Sequence, residues 1–340
     1  MRILFLDKKR KGGFRDFDFN DFEKLRGGER CVLSLAESLA MRGHHVVLAS
    51  LPRRGNVTQH GVNIVDLNTA LSEHYDVAIS NNYAHAFDDT KATAKIVWTH
   101  NPGFSRAHLK ADFLGKLRHH PYIVHLSKYT RNRSWFLPQS GNTIIHHGQP
   151  SCLLENRKER ERAPAPIALF SSTPERNLAM VVKAWREVVH PQIPQARLEV
   201  TAEVEPKHVC RLPKNELEQL NISVVGTRPW SELMDLMRRV RVLVVPGHRQ
   251  ETYNMLAVEA AANGVPTVTV GIGALRERVL HEQTGWVATS VREMGSAIVR
   301  LLSDDALWFR YHRACLSHPD LVSWDDCAEC WEACMRGLPR

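Results

Sequence analysis

Cysteine is scarce in this sequence, and long apolar runs are absent from it. Seven cysteines in 340 residues are too few for a disulfide framework, so a reducing compartment, the cytoplasm, is expected. No apolar run reaches the length of a membrane-spanning helix, and the apolar start at residues 1–7 is too short for a signal peptide. The sequence therefore favours a cytoplasmic globular protein over a secreted or membrane-spanning one.

Two common ligand-binding motifs are also missing. The first predicted strand, residues 2–6, is not followed by G-x-G-x-x-G, which counts against a nicotinamide-dependent enzyme. Neither an RNP segment nor a zinc finger is present, so nucleic acid is not expected as a partner.

Size and charge set further bounds. A chain of 340 residues with 43% hydrophobic and 24% charged residues is typical of a soluble protein with two domains. The formal net charge of +8 favours an acidic partner, such as a nucleotide or an anionic membrane surface. The alternative is that this charge serves only solubility.

Apolar segments alternate between strand and helix patterns along the whole chain. This alternation predicts an α/β fold with parallel sheets and helices on both faces, arranged as two Rossmann-like halves. The predicted strands are residues 2–6, 45–49, 76–80, 95–99, 123–126, 143–146, 167–171, 197–201, 222–225, 242–245, 267–270 and 286–288. The charged stretch at residues 155–166 is interpreted as a linker between the halves.

Two glutamates follow the apolar strand at residues 242–245. They lie in the stretch P-G-H-R-Q-E-T-Y-N-M-L-A-V-E-A, as Glu251 and Glu259. If residues 252–262 are helical, Glu251 lies just before the helix and Glu259 lies two turns into it, near the same face. Carboxylates at the carboxyl end of a parallel strand suit sugar and ribose hydroxyls. On spacing alone, two solvated charges on a helix face are the alternative.

This stretch and its continuation A-A-N-G-V-P-T-V resemble the signature of family 4 glycosyltransferases of the group 1 type. The resemblance implies the GT-B fold, with two Rossmann-like domains whose parallel sheets face a central cleft. It predicts an acceptor-side domain at residues 1–155 plus a returning C-terminal helix at about 322–340. It predicts a donor-binding domain at residues 160–321. The chain departs from the family at Thr252, Tyr253 and Asn254, where members usually carry Gly-aromatic-Gly.

The same resemblance implies roles for residues of the second half. Glu259 would hold the ribose hydroxyls of the donor and Glu251 its sugar. Arg176 stands where the family has a phosphate-binding lysine, and the family's arginine position falls on Ser171, so Arg228 is a candidate for the missing charge. The other residues expected at the donor are Thr252, Tyr253, Asn254, Met255 and Leu256. The alternative for Arg176 is an exposed residue at a helix start.

Two positions of the first half resemble family site residues. Gly28, in a Gly-Gly pair before a predicted helix, suits the approach of an anion to backbone amides. His100, at the carboxyl end of a strand, is expected to bind the donor sugar. The basic and aromatic segment at residues 8–26 is predicted to grip an acceptor or a bilayer, with a plain surface loop as the alternative. Its Asp16-x-Asp18 spacing is not interpreted as a metal site.

No metal site is predicted elsewhere. Cys327, Cys330 and Cys334 fall on one helical face and are interpreted as the apolar face of the last helix. The histidine pairs that begin at His44, His119 and His146 lack ligand spacing.

The resemblance implies a retaining, metal-independent hexosyltransferase. A nucleotide-diphosphate sugar, with UDP favoured and GDP open, would donate to a hydroxyl of a glycan or lipid-linked acceptor. Synthesis of cell-surface polysaccharide or lipopolysaccharide at the inner face of the plasma membrane is expected. A GT-B nucleotide-sugar epimerase or phosphorylase and a non-catalytic nucleotide-sugar-binding protein stay open. The sequence does not identify the base, the sugar, the acceptor, the linkage or the oligomeric state.

Overall fold

A computed structural model describes residues 1–6, 8–9, 13–14, 23, 25, 27–50, 56–101, 106–202 and 214–338. The chain divides into two compact units. The first unit contains Met1–Gly148 together with Val322–Arg340, and the second contains Gln149–Leu321. Most of the segment at residues 8–26, including Asp16 and Asp18, lies outside the described residues. Among the described residues, no helix combines the length and apolar character that crossing a membrane requires.

The first unit is built on an eight-stranded sheet in the order β10-β9-β8-β7-β1-β4-β6-β5. All neighbours in it are parallel except the edge pair β5 and β6. Its strands are β1 (Arg2–Leu6), β4 (His45–Ser50), β5 (Val57–Gln59), β6 (Val62–Asp66), β7 (His74–Asn81), β8 (Lys91–Trp98), β9 (Tyr122–His125) and β10 (Gly141–Ile144). A separate two-stranded antiparallel pair joins β2 (Lys8–Lys9) to β3 (Gly13–Phe14). The helices of this unit are α1 (Gly27–Met41), α2 (Leu67–Ser72), α3 (Arg106–His119), α4 (Lys128–Ser134) and α14 (Trp324–Arg336), with a 3₁₀ turn at Ala84–Phe87.

The centre of this sheet explains why its strands were visible in the sequence. In β1, the residues from Ile3 to Leu6 are all buried, and the strand pairs with β4 on one side and β7 on the other. A parallel strand covered on both faces needs a continuous apolar run rather than an alternating one. The predicted strands at the middle of both sheets are therefore confirmed within one to three residues.

The second unit is a six-stranded parallel sheet in the order β13-β12-β11-β14-β15-β16. Its strands are β11 (Ile167–Phe170), β12 (Arg197–Val200), β13 (Ile222–Val224), β14 (Val242–Val244), β15 (Thr267–Thr269) and β16 (Gly285–Val287). Its helices are α5 (Ser151–Glu155), α6 (Leu178–Ala184), α7 (His190–Gln192), α8 (Lys214–Gln219), α9 (Trp230–Met237), α10 (Met255–Ala262), α11 (Leu275–Arg278), α12 (Val291–Ser303) and α13 (Asp305–Leu316). A π-helical turn, Trp185–Val189, continues α6 into α7.

The charged stretch at residues 155–166 does not behave as a linker. The backbone amide of Arg160 donates to His312 Nε2 at 3.1 Å, and its guanidinium reaches the carbonyl of Asn263 at 3.3 Å. Glu159 pairs with Arg313 at 2.5 Å. Glu159 and Arg160, two of the charged residues that suggested a solvated linker, instead connect this stretch to α13 and to the end of α10.

The last helix, α14, packs against α1 in the first unit. A capping box formed by Ser323 and Asp326 starts it. Its buried face carries Cys327, Ala328, Trp331 and Met335, whereas Cys330 is exposed. The prediction that all three cysteines lie on the apolar face was wrong for Cys330, because the helix is rotated so that Trp331 takes the buried position.

Candidate functional site

Two turns at the carboxyl ends of β14 and β15 pack against each other in the second unit. Gly247 has φ +102°, and a Cβ built on it would lie 2.5 Å from the carbonyl oxygen of Ile272. Gly273 has φ +75°, and a Cβ there would lie 2.4 Å from the carbonyl oxygen of His248. Both the left-handed backbone and the close approach require glycine. These glycines fix the path of the β14–α10 loop, which we define as residues 246–254.

Glu251 is held in this loop by a contact that sequence spacing does not predict. Its side chain is 5% exposed and forms an ion pair with Arg176, which is 36% exposed. Beside Arg176, the Asn177 amide donates to the carbonyl of Gly247 at 2.6 Å. The turn after β11 and the β14–α10 loop are therefore joined by two neighbouring side chains. This pairing brings together the two residues to which the sequence assigned the diphosphate and the sugar.

The helix that follows begins later than predicted. It starts at Met255 rather than at residue 252, because Asn254 adopts φ 70° and ψ 80° and acts as its N-cap. The Asn254 side-chain oxygen accepts from the amide of Ala257 at 3.0 Å. Glu251 thus precedes the helix, as the sequence predicts, but by several residues, so helical spacing does not relate its carboxylate to that of Glu259. Asparagine occupies a left-handed position that suits glycine, which explains how the chain accommodates this departure from the family pattern.

Glu259 is the second buried carboxylate, with 3% exposure. Its Oε1 accepts a hydrogen bond from Trp230 Nε1 at 2.8 Å. Trp230 is the first residue of α9, so α9 orients the carboxylate that α10 carries. A buried carboxylate held by a neutral donor retains acceptor capacity for further hydroxyl groups.

Arg228 is not joined to the Arg176–Glu251 pair. It is exposed and contacts Glu232 at 3.4 Å, and in the described part of the chain no contact connects it to Arg176 or Glu251. Ser171, immediately after β11, is half-buried. The structure therefore does not place Arg228 where the sequence argument sought a second cation.

The remaining residues of the β14–α10 loop and of the start of α10 are mainly buried or half-buried. Tyr253 is 2% exposed, and the Arg278 guanidinium lies 4.7 Å from its ring centroid. Arg278 in turn pairs with Asp320. Thr252 is buried, whereas Met255 and Leu256 are half-buried at the start of α10. The sequence argument missed that Arg278 packs on Tyr253 and pairs with Asp320, because these contacts join segments that are distant in the sequence.

The first unit places Gly28 beside His100. A Cβ built on Gly28, in the first turn of α1, would lie 3.9 Å from His100 Cγ. His100 follows β8, and the Asn82 side chain accepts from the backbone amides of His100 and Asn101, both at 2.7 Å. Asn82 itself has φ 73°. The loop that carries His100 is thus fastened to the end of β7.

The protonation of His100 follows from its neighbours. Asn81 Oδ1 lies 2.7 Å from His100 Nδ1 and also accepts from Asn82 Nδ2 at 2.7 Å. Because this oxygen accepts, His100 Nδ1 carries the proton and Nε2 carries the lone pair. Burial of the imidazole lowers the pKa of His100 to about 3, so the ring is neutral at neutral pH. Asn81 and Asn82 were missed, although a pair of amides after a buried strand is a visible signal.

Comparison with known proteins finds a family model that matches part of the second unit. Residues 165–304 match the family model described as Glycosyl transferases group 1. A glycogen synthase of Mycobacterium tuberculosis (strain ATCC 25618 / H37Rv) is 41% identical over 83 residues, covering 24% of this chain and 20% of the relative. A D-inositol 3-phosphate glycosyltransferase of Corynebacterium glutamicum (strain R) is 26% identical over 162 residues, covering 47% and 35%. The chain thus spans between a fifth and about a third of the length of these curated relatives.

Solved structures resemble nearly the whole chain. A sucrose-phosphate synthase from Thermosynechococcus elongatus has a TM-score of 0.73 at 17% identity, covering 99% of this chain and 98% of that one. HepE of Anabaena in complex with UDP has a TM-score of 0.74 at 16% identity, covering 99% and 100%. The predicted α/β fold of the GT-B class is confirmed.

Proposed function

We propose that this chain, which has the GT-B fold and carries group 1 glycosyltransferase sequence over residues 165–304, is a hexosyltransferase. It would transfer a sugar from a nucleotide-diphosphate donor to a hydroxyl group, with retention of the anomeric configuration and without a metal. The observation that carries this proposal is the pair of Arg176 and Glu251, at the carboxyl ends of β11 and β14. Strand ends of this kind are where open α/β sheets bind ligands.

The donor is assigned to residues of the second unit. Arg176 presents a guanidinium that matches the planar, bidentate geometry of phosphate oxygens. Glu251, beside it, accepts hydrogen bonds from the sugar hydroxyls, and Glu259 accepts them from the ribose. Exchange of the Arg176–Glu251 contact for contacts to the diphosphate and the sugar keeps both charges partnered when the donor binds. UDP is the favoured nucleotide of the donor, supported by the UDP and UDP-glucose complexes of HepE.

The chemical step follows from the charge that develops at the leaving group. Breaking the anomeric C–O bond leaves a nucleoside diphosphate with increased negative charge, and a fixed guanidinium stabilises it. In the proposed front-face course, the leaving phosphate oxygen takes the proton of the incoming hydroxyl on the same face of the sugar. Arg176 supplies the positive charge that a metal supplies in other transferases.

His100 contributes a neutral acceptor. With Nδ1 held by Asn81, Nε2 accepts a hydrogen bond from a substrate hydroxyl. Gly28 keeps the space beside the ring open. These roles extend the donor assignment and share its test.

The acceptor and the place of action are proposed more broadly. The net charge of +8 favours an anionic or lipid-linked glycan at the inner face of the plasma membrane. The structural similarity to WaaG, a glycosyltransferase of lipopolysaccharide biosynthesis, at a TM-score of 0.68 and 13% identity, supports a role in cell-surface polysaccharide or lipopolysaccharide synthesis.

The test is donor binding in a metal-free buffer. Thermal stabilisation by UDP, GDP and ADP is measured with EDTA present, followed by calorimetry with the nucleotide that binds. Glu259→Gln should weaken its affinity by roughly 10- to 100-fold, since a hydrogen bond to a charged group contributes roughly 1.5–3 kcal/mol. Glu187→Gln, at an exposed position of the π-helical turn, is the matched control.

The outcomes separate the proposal from its alternatives. Binding of one nucleotide with turnover of its sugar conjugate, in the absence of metal, supports the transferase. Binding without turnover in the presence of varied acceptors favours a non-catalytic nucleotide-sugar-binding protein. Conversion of the donor to its epimer, or turnover that depends on free phosphate, favours the epimerase or phosphorylase.

A further inference from the structure

We propose that Cys31, His100 and His147 of the first unit form a binding site for a thiophilic transition-metal ion, with Zn²⁺ as the reference ion. Each of the three side chains offers one ligand atom, and these atoms lie within 4.8 Å of one another. The site differs in position and chemistry from the diphosphate position at Arg176. It shares His100 with the hydroxyl contact proposed above, so an ion and a substrate hydroxyl exclude each other at His100 Nε2.

The three ligands come from different parts of the first unit. Cys31 lies in α1 and is fully buried, and His147 follows β10 and is 3% exposed. His100 follows β8, and its ring stacks on that of His147 with centroids 5.2 Å apart and an interplanar angle of 11°. The sequence separations of 69 and 47 residues, taken from positions 31, 100 and 147, form no spaced motif. For this reason the sequence did not predict a metal here.

The geometry needs a small adjustment to hold an ion. Ligands at about 2.0–2.3 Å around tetrahedral zinc are separated by roughly 3.5 Å. The most distant of the three atoms must therefore approach by about 1 Å, and the stacked rings must tilt toward a common point. Side-chain rotations supply both movements, because Cys31, His100 and His147 are each attached through a rotatable Cα–Cβ bond.

The surroundings resemble those of established metal sites. Asn81 Oδ1 holds His100 Nδ1 at 2.7 Å, which fixes the tautomer that directs the Nε2 lone pair to an ion. Trp98 lies against both imidazoles, with ring centroids 4.2 Å from His100 and 5.4 Å from His147. Trp331 packs on Trp98 at 5.1 Å. Aromatic walls exclude water and so strengthen binding of an ion by a thiolate.

The ligand set selects the ion. One thiolate and two imidazoles are the ligands that Zn²⁺, Co²⁺ and copper ions prefer, whereas Mg²⁺ requires oxygen ligands. On binding, Cys31 releases its thiol proton to the solvent, and the two imidazoles donate their lone pairs. A fourth position stays open to water or a small anion.

The experiment uses Co²⁺ as a spectroscopic substitute for Zn²⁺. The full chain carries Cys152→Ser, Cys330→Ser and Cys210→Ser, which removes the two exposed thiols and one cysteine outside the described residues. Co²⁺ is titrated into this protein, and thiolate-to-cobalt charge transfer and visible d–d bands are recorded. We expect one equivalent of Co²⁺ to produce the charge-transfer band and the d–d bands. One equivalent of Zn²⁺ should abolish these bands, and Mg²⁺ should leave them unchanged.

Two further variants in this background locate the ligands. Cys31→Ser should remove the charge-transfer band, and His147→Gln should weaken binding by about 10-fold or more. His146→Gln, one residue away and outside the ligand cluster, is the matched control and should bind as the background protein does. The absence of thiolate bands in the background protein would overturn the proposal, as would bands that persist in Cys31→Ser. An equal loss in His146→Gln and His147→Gln would also overturn it. If Cys31→Ser does not fold, the background spectrum and the histidine pair of variants decide.

Discussion

Position 254 needs a left-handed backbone and a side chain that caps α10. Asparagine meets both requirements, whereas glycine meets only the first. The backbone of Asn254 is left-handed, and its side chain caps α10 by accepting from Ala257. Asn254→Gly keeps the backbone freedom and loses the cap, so we expect a loss of only a few tenths of a kcal/mol. Asn254→Ala loses the cap and adds the cost of a left-handed Cβ, together about 2–3 kcal/mol.

Urea unfolding of the two variants measures this difference. Since both lack the side-chain oxygen, their difference isolates the backbone term. Equal losses in both variants would show that the left-handed conformation of Asn254 contributes nothing to stability.

The Arg176–Glu251 pair sets a second expectation. Glu251 is nearly buried, so Arg176→Ala leaves its carboxylate without a cation and should destabilise the protein by about 1–3 kcal/mol. The partial exposure of Arg176 keeps this value below that of a fully buried pair. Adding Glu251→Gln to Arg176→Ala should recover part of the loss, because a neutral amide needs no cation.

A double-mutant cycle on unfolding free energies checks the coupling. The control is Arg238→Ala with Asp235→Asn, an exposed pair one turn apart at the end of α9. If the two cycles give the same coupling energy, the Arg176–Glu251 contact is no more than a surface ion pair.

The charged residues of the candidate site were more predictable than the residues that orient the site side chains by hydrogen bonds. Glu251 and Glu259 stand in one continuous stretch of sequence, and Arg176 stands in a second, separate stretch. Trp230 and Asn81, which orient Glu259 and His100, reach their partners across 29 and 19 residues. Contacts of this kind follow from the folded path of the chain, and local spacing does not contain them.

At the scale of elements, α14 is fastened to the first unit by a charged cluster. Glu332 accepts from the guanidinium of Arg42 at 3.1 Å and lies 2.8 Å from His44 Nε2. Hydrogen bonds from Arg42 and His44 lower the pKa of Glu332 from its ordinary 4.5 to about 2. Because the folded pKa is depressed, this stabilisation is fully present above pH 4.5 and is lost as the pH falls toward 2.

Glu332→Gln tests this dependence on pH. The variant should be less stable than the parent at neutral pH by at most about 1 kcal/mol, and the difference should shrink on acidification through that window. Chemical denaturation at a series of pH values measures it, with Glu329→Gln on the same helix as the control. A difference that stays constant down to pH 2 would contradict the assigned pKa.

Element ends were harder to predict than element cores. The central strands β1, β11 and β14 are apolar along nearly their whole length, and their positions follow directly from the sequence. The strand β6 was not predicted, because its apolar residues alternate with polar ones. By contrast, α10 begins at an asparagine cap, and α6 passes into a π-helical turn at Trp185, whose Nε1 donates to the carbonyl of Leu220 at 2.8 Å. The edge strand β5 is partly exposed at every residue, so it lacks the apolar run that marks the other strands.

At the scale of the whole molecule, fold class was the most predictable property. The alternation of strands and helices predicts two parallel sheets, and the motif after β14 lies within residues 165–304, which match the group 1 glycosyltransferase model. The ligand cluster of Cys31, His100 and His147 was the least predictable feature, because three positions spread over much of one unit meet only in the folded protein.

The membership of α14 in the first unit has a consequence for how the protein is made. Chain order is synthesis order, so the ribosome releases residues 1–148 long before Val322–Arg340, which complete the same unit. The surface of α1 that receives α14 stays uncovered while the entire second unit is synthesised. Domains of nascent chains fold from the N-terminus onward, but here the first unit to appear is the last to be completed. A stalled or truncated nascent chain would thus expose that surface to chaperones and proteases, and only full-length chains would escape this control.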